Sequence, residues 1–147
     1  MATSLVTRIM YALQASPVIS GYATGGIYDR DLRRSGSGWT PNAFDADGDI
    51  KPTVMVDDAG DVREPFSHTA HYQGLVYIWL FAGRSTKGED QVEELARRIR
   101  HALYQWQDSE TGAQLFPAGR LGMQADDQAV FDRLALTYSG VLPLSNV

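Results

Sequence analysis

The segment from Thr69 to Phe81 constrains the possible folds of this chain more than any other stretch of the sequence. Its apolar residues fall into two alternating sets, Leu75, Tyr77, Trp79 and Phe81 in one and Val76, Ile78 and Leu80 in the other. Successive side chains of a β-strand point to opposite faces, so the segment predicts a strand that is apolar on both. Other residues must then shield the apolar side chains of each face from water. Either the strand lies wholly inside the domain, or the core covers one face and a neighbouring subunit covers the other.

Two amphipathic helices are predicted, one near the start of the chain and one after this strand. The first runs from Ser4 to Ser16 and is ended by Pro17. The second runs from Gly88 to Trp106 and carries an unbroken apolar stripe. Its first half is acidic and its second half basic, an order that complements the helix dipole. The pairs Glu93–Arg97 and Glu94–Arg98 have the spacing of ion pairs along a helix.

Further strands are predicted near Ile27, over Thr53–Asp57 and over Val130–Val141, and two short apolar pieces, Gln114–Phe116 and Leu121–Met123, precede the last of them. Asp58–Asp61 has the composition of a turn, and Pro117–Gly119 predicts a bend between the two short pieces. The order of helix, strands, helix and strands predicts a single α+β domain over residues 1–147. One mixed, mainly antiparallel sheet with two helices packed on one face would bury every amphipathic element.

Composition excludes several kinds of chemistry. The chain has no cysteine, which excludes disulfides, thiolate catalysis and cysteine-ligated zinc. It has 13 basic and 18 acidic side chains and a formal net charge of -5, whereas a general nucleic-acid binder is expected to be basic. The N-terminus lacks the layout of a signal peptide, and the longest apolar run, Leu75 to Ala82, is too short to span a bilayer. We therefore expect a protein made in the cytoplasm, without a membrane partner.

The sequence shows no constellation of catalytic or metal-binding residues. Asp45–Asp49 alternates carboxylates, but a calcium loop starting at Asp45 would need glycine and glutamate where Ile50 and Val56 stand, so an acidic turn is favoured. Gly83–Gly88 precedes a helix but lacks the residue order of a phosphate-binding loop. No segment supplies a nucleophile, a base and a stabilising group together. We therefore predict no enzyme activity, no catalytic residue, no metal site and no cofactor.

Residues 35–50 predict a long loop containing glycine and serine. A loop of this length within a compact domain is often functional or becomes ordered on binding. Trp39 and Phe44 are candidate anchors for a subunit or partner interface, although Trp39 could equally fold back on its own domain. A basic cluster precedes the loop and consists of Arg30, Arg33 and Arg34. Acidic residues are interleaved with it, so the cluster is either a self-neutralising surface or a second contact patch.

Three stretches in this order carry a resemblance to a known family. They are Gly26–Asp29, Ala43–Asp58 ahead of the long apolar strand, and the helix Gly88–Ile99 with its pattern Gly-Glu-Asp-x-x-Glu-Glu-Leu-Ala-x-x-Ile. Together they resemble the small tail-terminator or tail-completion proteins of long-tailed bacteriophages, including related head–tail joining proteins. The resemblance covers nearly the whole chain and is one of pattern and order.

The resemblance implies a structural protein of the virion, made in the cytoplasm of the bacterial host. In that family a homo-oligomeric ring, typically a hexamer, caps the tail tube at full length and presents a surface to the head connector. An acidic lumen would let DNA pass without specific binding, because like charges avoid phosphate contacts. A ring also pairs two different patches on each subunit. Five residues are the candidates for these patches: Arg30, Arg33, Arg34, Trp39 and Phe44.

Two alternatives remain open on the sequence. One is another neck or minor tail component, such as a head-closure ring. The other is a small bacterial α+β module with a ligand-binding or regulatory role. Such a module would be monomeric or dimeric and would contain a pocket. The long loop favours a ring subunit, since subunits of a ring need extensions that reach their neighbours.

Overall fold

The computed structural model describes residues 5–29, 43–63, 71–84, 87–104, 106–109, 112, 114–126 and 129–141. Its helices are α1 (Leu5–Ala15), α2 (Pro17–Ser20) and α3 (Gly88–Leu103). Its strands are β1 (Gly26–Asp29), β2 (Thr53–Arg63), β3 (His71–Ala82), β4 (Gln114–Arg120), β5 (Gln124–Ala125) and β6 (Val130–Val141). No helix in this part of the chain combines the length and the apolar character needed to cross a membrane.

The described strands form one sheet in the order β1-β2-β3-β6-β4, and β5 also pairs with β6. β1 and β2 are parallel, whereas the other pairs are antiparallel. The predicted α+β class with a mixed, mainly antiparallel sheet is therefore confirmed. The long strand between His71 and Ala82 lies in the middle of the sheet; its core-facing set is buried, whereas the other apolar set is only partly buried.

The core lies between one face of this sheet and the helices. Val76, Ile78 and Leu80 of β3 are completely buried there. They share the core with residues of α1, α3 and β6, including Ile9, Leu13, Val92, Leu95, Ile99, Leu134 and Leu136. Full burial of an aliphatic side chain of this size stabilises the fold by about 1.5–3 kcal/mol. The prediction that helices pack on one face of the sheet is confirmed by this cluster.

The first helix is followed by a short second helix that the sequence interpretation did not include. α1 buries Ile9, Met10 and Leu13, as its spacing predicts. Ser16 is extended, and Pro17 then begins α2 instead of leading the chain away from helical structure. Proline is tolerated in the first turn of a helix, because the amide that it lacks has no partner within the helix. Ile19 of α2 is fully buried and joins the same core.

The turn predicted at Asp58–Asp61 is wrong, because β2 continues through it to Arg63. β2 stays paired with β3 along this length, with a shift of register between Asp58 and Gly60. A β-bulge accommodates an extra residue while the pairing continues on both sides of it. The long partner strand therefore determines the conformation here, in place of the local preference for a turn.

The bend predicted at Pro117–Gly119 is wrong for the same reason. β4 runs without interruption from Gln114 to Arg120, with a register shift between Pro117 and Gly119. Proline donates no backbone hydrogen bond and is found in sheets on edge strands or at bulges, and β4 stands at the end of the described strand order. Residues 121–123 are not in a strand, and β5 begins only at Gln124.

The second long helix ends at Leu103, three residues before the predicted end. Trp106 lies beyond it and packs partly buried against the core. Glu94 pairs with Arg98 at 2.8 Å, as predicted, and also with Arg97 at 2.6 Å. The predicted pair of Glu93 with Arg97 is not formed.

Candidate assembly surface

The second face of the sheet carries aromatic side chains that remain partly exposed. On β3, burial alternates along the strand, so that Tyr77, Trp79 and Phe81 are half-buried while their neighbours on the core face are fully buried. Phe131 and Arg133 of β6 lie directly opposite Phe81 and Trp79 on this same face. We call these five residues the aromatic face. The core that contains α1 and α3 lies on the other side of the sheet.

Three rings of the aromatic face pack against one another. The ring centroids of Trp79 and Phe81 are 6.4 Å apart with planes 19° from parallel, and Phe131 lies 6.2 Å from each of them. Cross-strand aromatic pairs of this kind stabilise a sheet by roughly 0.2–1 kcal/mol each. The rings therefore form one continuous apolar surface across the two central strands.

Arg133 adds a cation to this surface. Its guanidinium carbon lies 4.0 Å from the centroid of the Tyr77 ring and 5.4 Å from that of Trp79. This is the geometry of a cation–π interaction, which also shields part of both rings. The Nε atom of Arg133 is buried without a hydrogen-bond partner among the described residues. Aromatic residues and arginine are the types enriched at the centres of protein interfaces.

An ionic network around the buried Asp132 joins α3, β4 and β6, and sequence reasoning did not find it. Asp132 is completely buried. Arg120 donates from Nε to Oδ2 of Asp132 at 2.9 Å and from a terminal nitrogen to Oε1 of Glu93 at 2.8 Å. The backbone N–H of Gly122 donates to the other oxygen of Asp132 at 2.9 Å.

The electrostatic effects of this network follow from its hydrogen bonds. The bond from Arg120 lowers the pKa of Glu93, and the two carboxylates together raise the pKa of Arg120. One signal in the sequence points to the site: alternation along β6 puts Asp132 on the core face between Val130 and Leu134. A carboxylate at such a position needs a buried partner. The identity of that partner cannot be read from the pattern.

A second pair missed by sequence reasoning connects α1 to the chain after α3. Arg8 donates from Nε to Oδ1 of Asp108 at 2.7 Å and from a terminal nitrogen to Oδ2 at 2.8 Å. Asp108 is buried, so this two-point contact satisfies a charge that would otherwise be costly to bury. Its role in the described structure is to hold the first helix against the rest of the molecule.

Residues 43–50, which we call the acidic turn, form the described part of the predicted long loop. Phe44 and Ile50 bridge across its base. The Asp45 carboxylate accepts hydrogen bonds from the N–H groups of Asp47 at 2.9 Å and Asp49 at 3.0 Å. Gly48 has a φ of 85°, a conformation that glycine adopts without strain. The Asp45 carboxylate thus organises the turn, and the part of the chain that the structure describes contains no cluster of three metal-ligating side chains.

An apolar groove of about 340 Å³ lies between the end of α3 and β4. We call it the α3–β4 groove. Ile99, Leu103 and Leu115 line it, and all three are buried. Its rim carries Tyr104, which is 74% exposed, and Phe116, which is 50% exposed. Large apolar side chains at the rim of an apolar groove are typical of a binding surface.

Of the five interface residues predicted from the sequence, the structure describes only Phe44. Phe44 lies in the acidic turn with 39% of its surface exposed, so it is available for contact with another molecule. The other four, Arg30, Arg33, Arg34 and Trp39, lie outside the described residues. The aromatic face was predicted in part, through the residues of β3, whereas the contribution of Phe131 and Arg133 was not.

A comparison of the chain with models of known protein families found no match, and neither did a comparison with curated proteins.

Proposed function

We propose that this chain is a structural subunit of a ring that terminates the tail tube of a long-tailed bacteriophage and joins it to the head connector. The protein would be made in the host cytoplasm and would function in the virion. Its partners would be further copies of itself, the tail tube protein and a neck protein. The aromatic face is the observation that carries this proposal, because it gives the sheet a second apolar surface opposite the core.

The composition of the aromatic face supports a role in assembly. Three packed rings and a guanidinium stacked on two rings form a broad surface with little conformational freedom left to lose. Such a surface associates at a low cost in side-chain entropy. Burial of the exposed parts of these rings against another subunit adds the hydrophobic term. The net charge of -5 also supports passage of DNA through a ring without adhesion.

One observation favours a second candidate, a small ligand-binding module. The volume of the α3–β4 groove, about 340 Å³, falls in the range of roughly 300–1,000 Å³ that is usual for small-molecule pockets. Such a module would remain a monomer or dimer and would copurify with or bind an apolar small molecule. The two candidates therefore differ in assembly state as well as in ligand.

The test is light scattering on a gel-filtration column over a range of concentrations, with negative-stain images of each peak and with purified tail tube protein added. We expect a ring-shaped oligomer, or capped tube ends when tubes are present. Trp79→Thr removes an aromatic ring but keeps a residue suited to a strand, and it should reduce assembly while circular dichroism stays unchanged. Tyr11→Ala is the matched control, since Tyr11 is an exposed aromatic residue on α1.

A monomer at every concentration that also leaves tube ends uncapped would overturn the proposal. A fixed dimer with a bound small molecule would support the ligand-binding module instead. Equal loss of assembly in the Trp79 and Tyr11 variants would show that the aromatic face has no special part in it.

A further inference from the structure

The rim of the α3–β4 groove carries a cation, Arg100, that has no ion-pair partner in the part of the chain that the structure describes. Arg100 lines the groove, and its Nε donates a long hydrogen bond of 3.5 Å to the carbonyl oxygen of Ala96. Among the described residues it forms no ion pair, whereas Arg97 and Arg98 on the same helix both pair with Glu94. The groove therefore combines an apolar floor with a positive charge that attracts Glu93 at longer range but forms no ion pair with the described residues. An occupant of complementary chemistry carries an apolar side chain next to carboxylates.

The acidic turn has this chemistry. Phe44 is partly exposed, and the three aspartates that follow it at alternate positions are all exposed. The turn is shaped before any contact, because the Asp45 carboxylate already accepts two backbone hydrogen bonds within it. A preformed turn loses less conformational entropy on docking than a flexible loop does.

The acidic turn cannot fill the groove of its own subunit. Its base packs at the end of the sheet, where Ile50 and Ala43 form a small cluster with Phe81 and Ala129. Asp49 lies close to Gly83, since a side chain at position 83 would meet the Cβ of Asp49 at 3.0 Å. Position 83 leads into the start of α3, whereas the groove lies at the far end of this helix. The helix from Gly88 to Ile99 separates the two by eleven residue steps, or roughly 17 Å.

We propose that Phe44 of one copy docks into the α3–β4 groove of the next copy, with the carboxylates of the acidic turn facing Arg100. The contact joins two different patches and is therefore head-to-tail, the kind of interface that closes into a ring. This inference rests on the proposed ring and specifies one of its subunit contacts. It gives a role to the exposed Phe44 and to the groove together.

The test measures association of the full chain by sedimentation velocity over a range of concentrations. Phe44→Ala should weaken association about tenfold or more, because an aromatic anchor in an apolar groove belongs to the class of interface residues with large effects. Arg100→Glu should weaken it as well, by placing a like charge opposite the acidic turn. Val18→Ala, which shortens an exposed apolar residue of α2, is the matched control and should leave association unchanged.

Mixing the two damaged variants gives the decisive result. Phe44→Ala retains an intact groove and Arg100→Glu retains an intact turn, so an equal mixture should form heterodimers through one intact interface while each variant alone stays dissociated. Combining Arg100→Glu with Asp47→Lys in one chain should also restore assembly by exchanging the charges.

Three outcomes would overturn the inference. If Phe44→Ala and Arg100→Glu assemble like the native chain, the groove has another occupant, while the ring itself stands. If both variants fail to assemble and the mixture does not recover, the contact is not head-to-tail between these patches. If the native chain never associates, even with tail tubes, the proposed ring fails together with this contact.

Discussion

At the level of single residues, the buried charge of Asp132 is the feature of the described structure that most requires hydrogen-bond partners. The side chain is completely inaccessible to solvent, yet both of its oxygens are hydrogen-bonded. One accepts from the backbone N–H groups of Gly122 and Arg133 at 2.9 and 2.7 Å, and the other accepts from Arg120. A buried carboxylate is stable only when its lone pairs are satisfied in this way. Asp132 thereby fixes the positions of β4 and of the turn after it.

We predict that Asp132→Ala lowers the free energy of unfolding by about 3 kcal/mol or more, because it leaves Arg120 and two backbone amides without their buried partner. Urea unfolding followed by circular dichroism measures this loss. Glu93→Ala removes the outer carboxylate of the same arginine, whose side chain is 54% exposed, and should cost under about 1 kcal/mol. A loss for Asp132→Ala as small as that for Glu93→Ala would contradict the structural role assigned to Asp132.

A second prediction concerns Glu94 and acid. Hydrogen bonds from Arg97 and then Arg98 lower the pKa of Glu94 from 4.5 to about 2. Because the folded-state pKa lies below the unfolded value, the ionised carboxylate stabilises the fold above pH 4.5, and this contribution is lost as pH falls from 4.5 towards 2. Glu94→Gln should therefore show a shallower loss of stability over that range. Thermal melts at low ionic strength measure it, since salt screens an exposed cluster.

If native and Glu94→Gln proteins lose stability equally between pH 4.5 and 2, the ion pairs on α3 make no measurable contribution. Arg97→Gln provides the partner control, because it removes the largest cause of the lowered pKa of Glu94. It should therefore also make the loss of stability between pH 4.5 and 2 shallower, as Glu94→Gln does.

At the level of the elements, β3 separates two environments within one strand. Its core-facing side chains are completely buried under the helices, whereas those of the other face keep part of their surface exposed. The cross-strand partners on β6 extend the same division, with Leu134 opposite Ile78 and Arg133 opposite Trp79. The strand therefore contributes to the core through one face and leaves the other face partly exposed, where the proposed assembly would cover it.

Two identical substitutions on β3 test this division. Leu80→Ala removes a completely buried side chain and should cost about 3 kcal/mol or more. Leu75→Ala makes the same change on the half-buried face and should cost less than half as much, because less apolar surface is withdrawn from water. Urea unfolding at a protein concentration too low for assembly compares them. Equal losses would show that both faces belong to the core of a single subunit.

At the level of the whole molecule, the helices and the aromatic face lie on opposite sides of one sheet. A subunit built in this way gains stability when its second face is covered by another copy. Anything that binds only the folded state raises its apparent stability, by about 2.7 kcal/mol at a hundred times the dissociation constant. We predict that the melting temperature rises with protein concentration.

Calorimetry over a hundredfold range of concentration measures this effect. In Trp79→Thr the dependence should be weaker or absent, while Tyr11→Ala should behave like the native protein. A melting temperature that does not change with concentration would mean that the folded subunit does not associate under these conditions.

Much of the fold could be predicted from the sequence, and the places where prediction failed have a common cause. The alternation in β3 and the apolar stripe of α3 were read correctly, because both are periodic over many residues. The turn at Asp58–Asp61 and the bend at Pro117–Gly119 were wrong, because local composition does not report the length of the partner strand. Of the candidate surfaces, the outer residues of β3 could be predicted from the alternation and the groove could not, while the interface role of Phe44 stays a prediction.

The sequence by itself determined which residues of each element are apolar, and hence the class of the fold and the presence of a strand that needs cover on both faces. Only the tertiary structure decided which partners meet across the chain. Glu93 of α3 pairs with Arg120 of β4 and not with Arg97, and Arg133 of β6 stacks on Tyr77 of β3, so both contacts join elements that are far apart in sequence. The physical reason is that periodicity reports the direction of a side chain along its own element, whereas a contact depends on the register between elements.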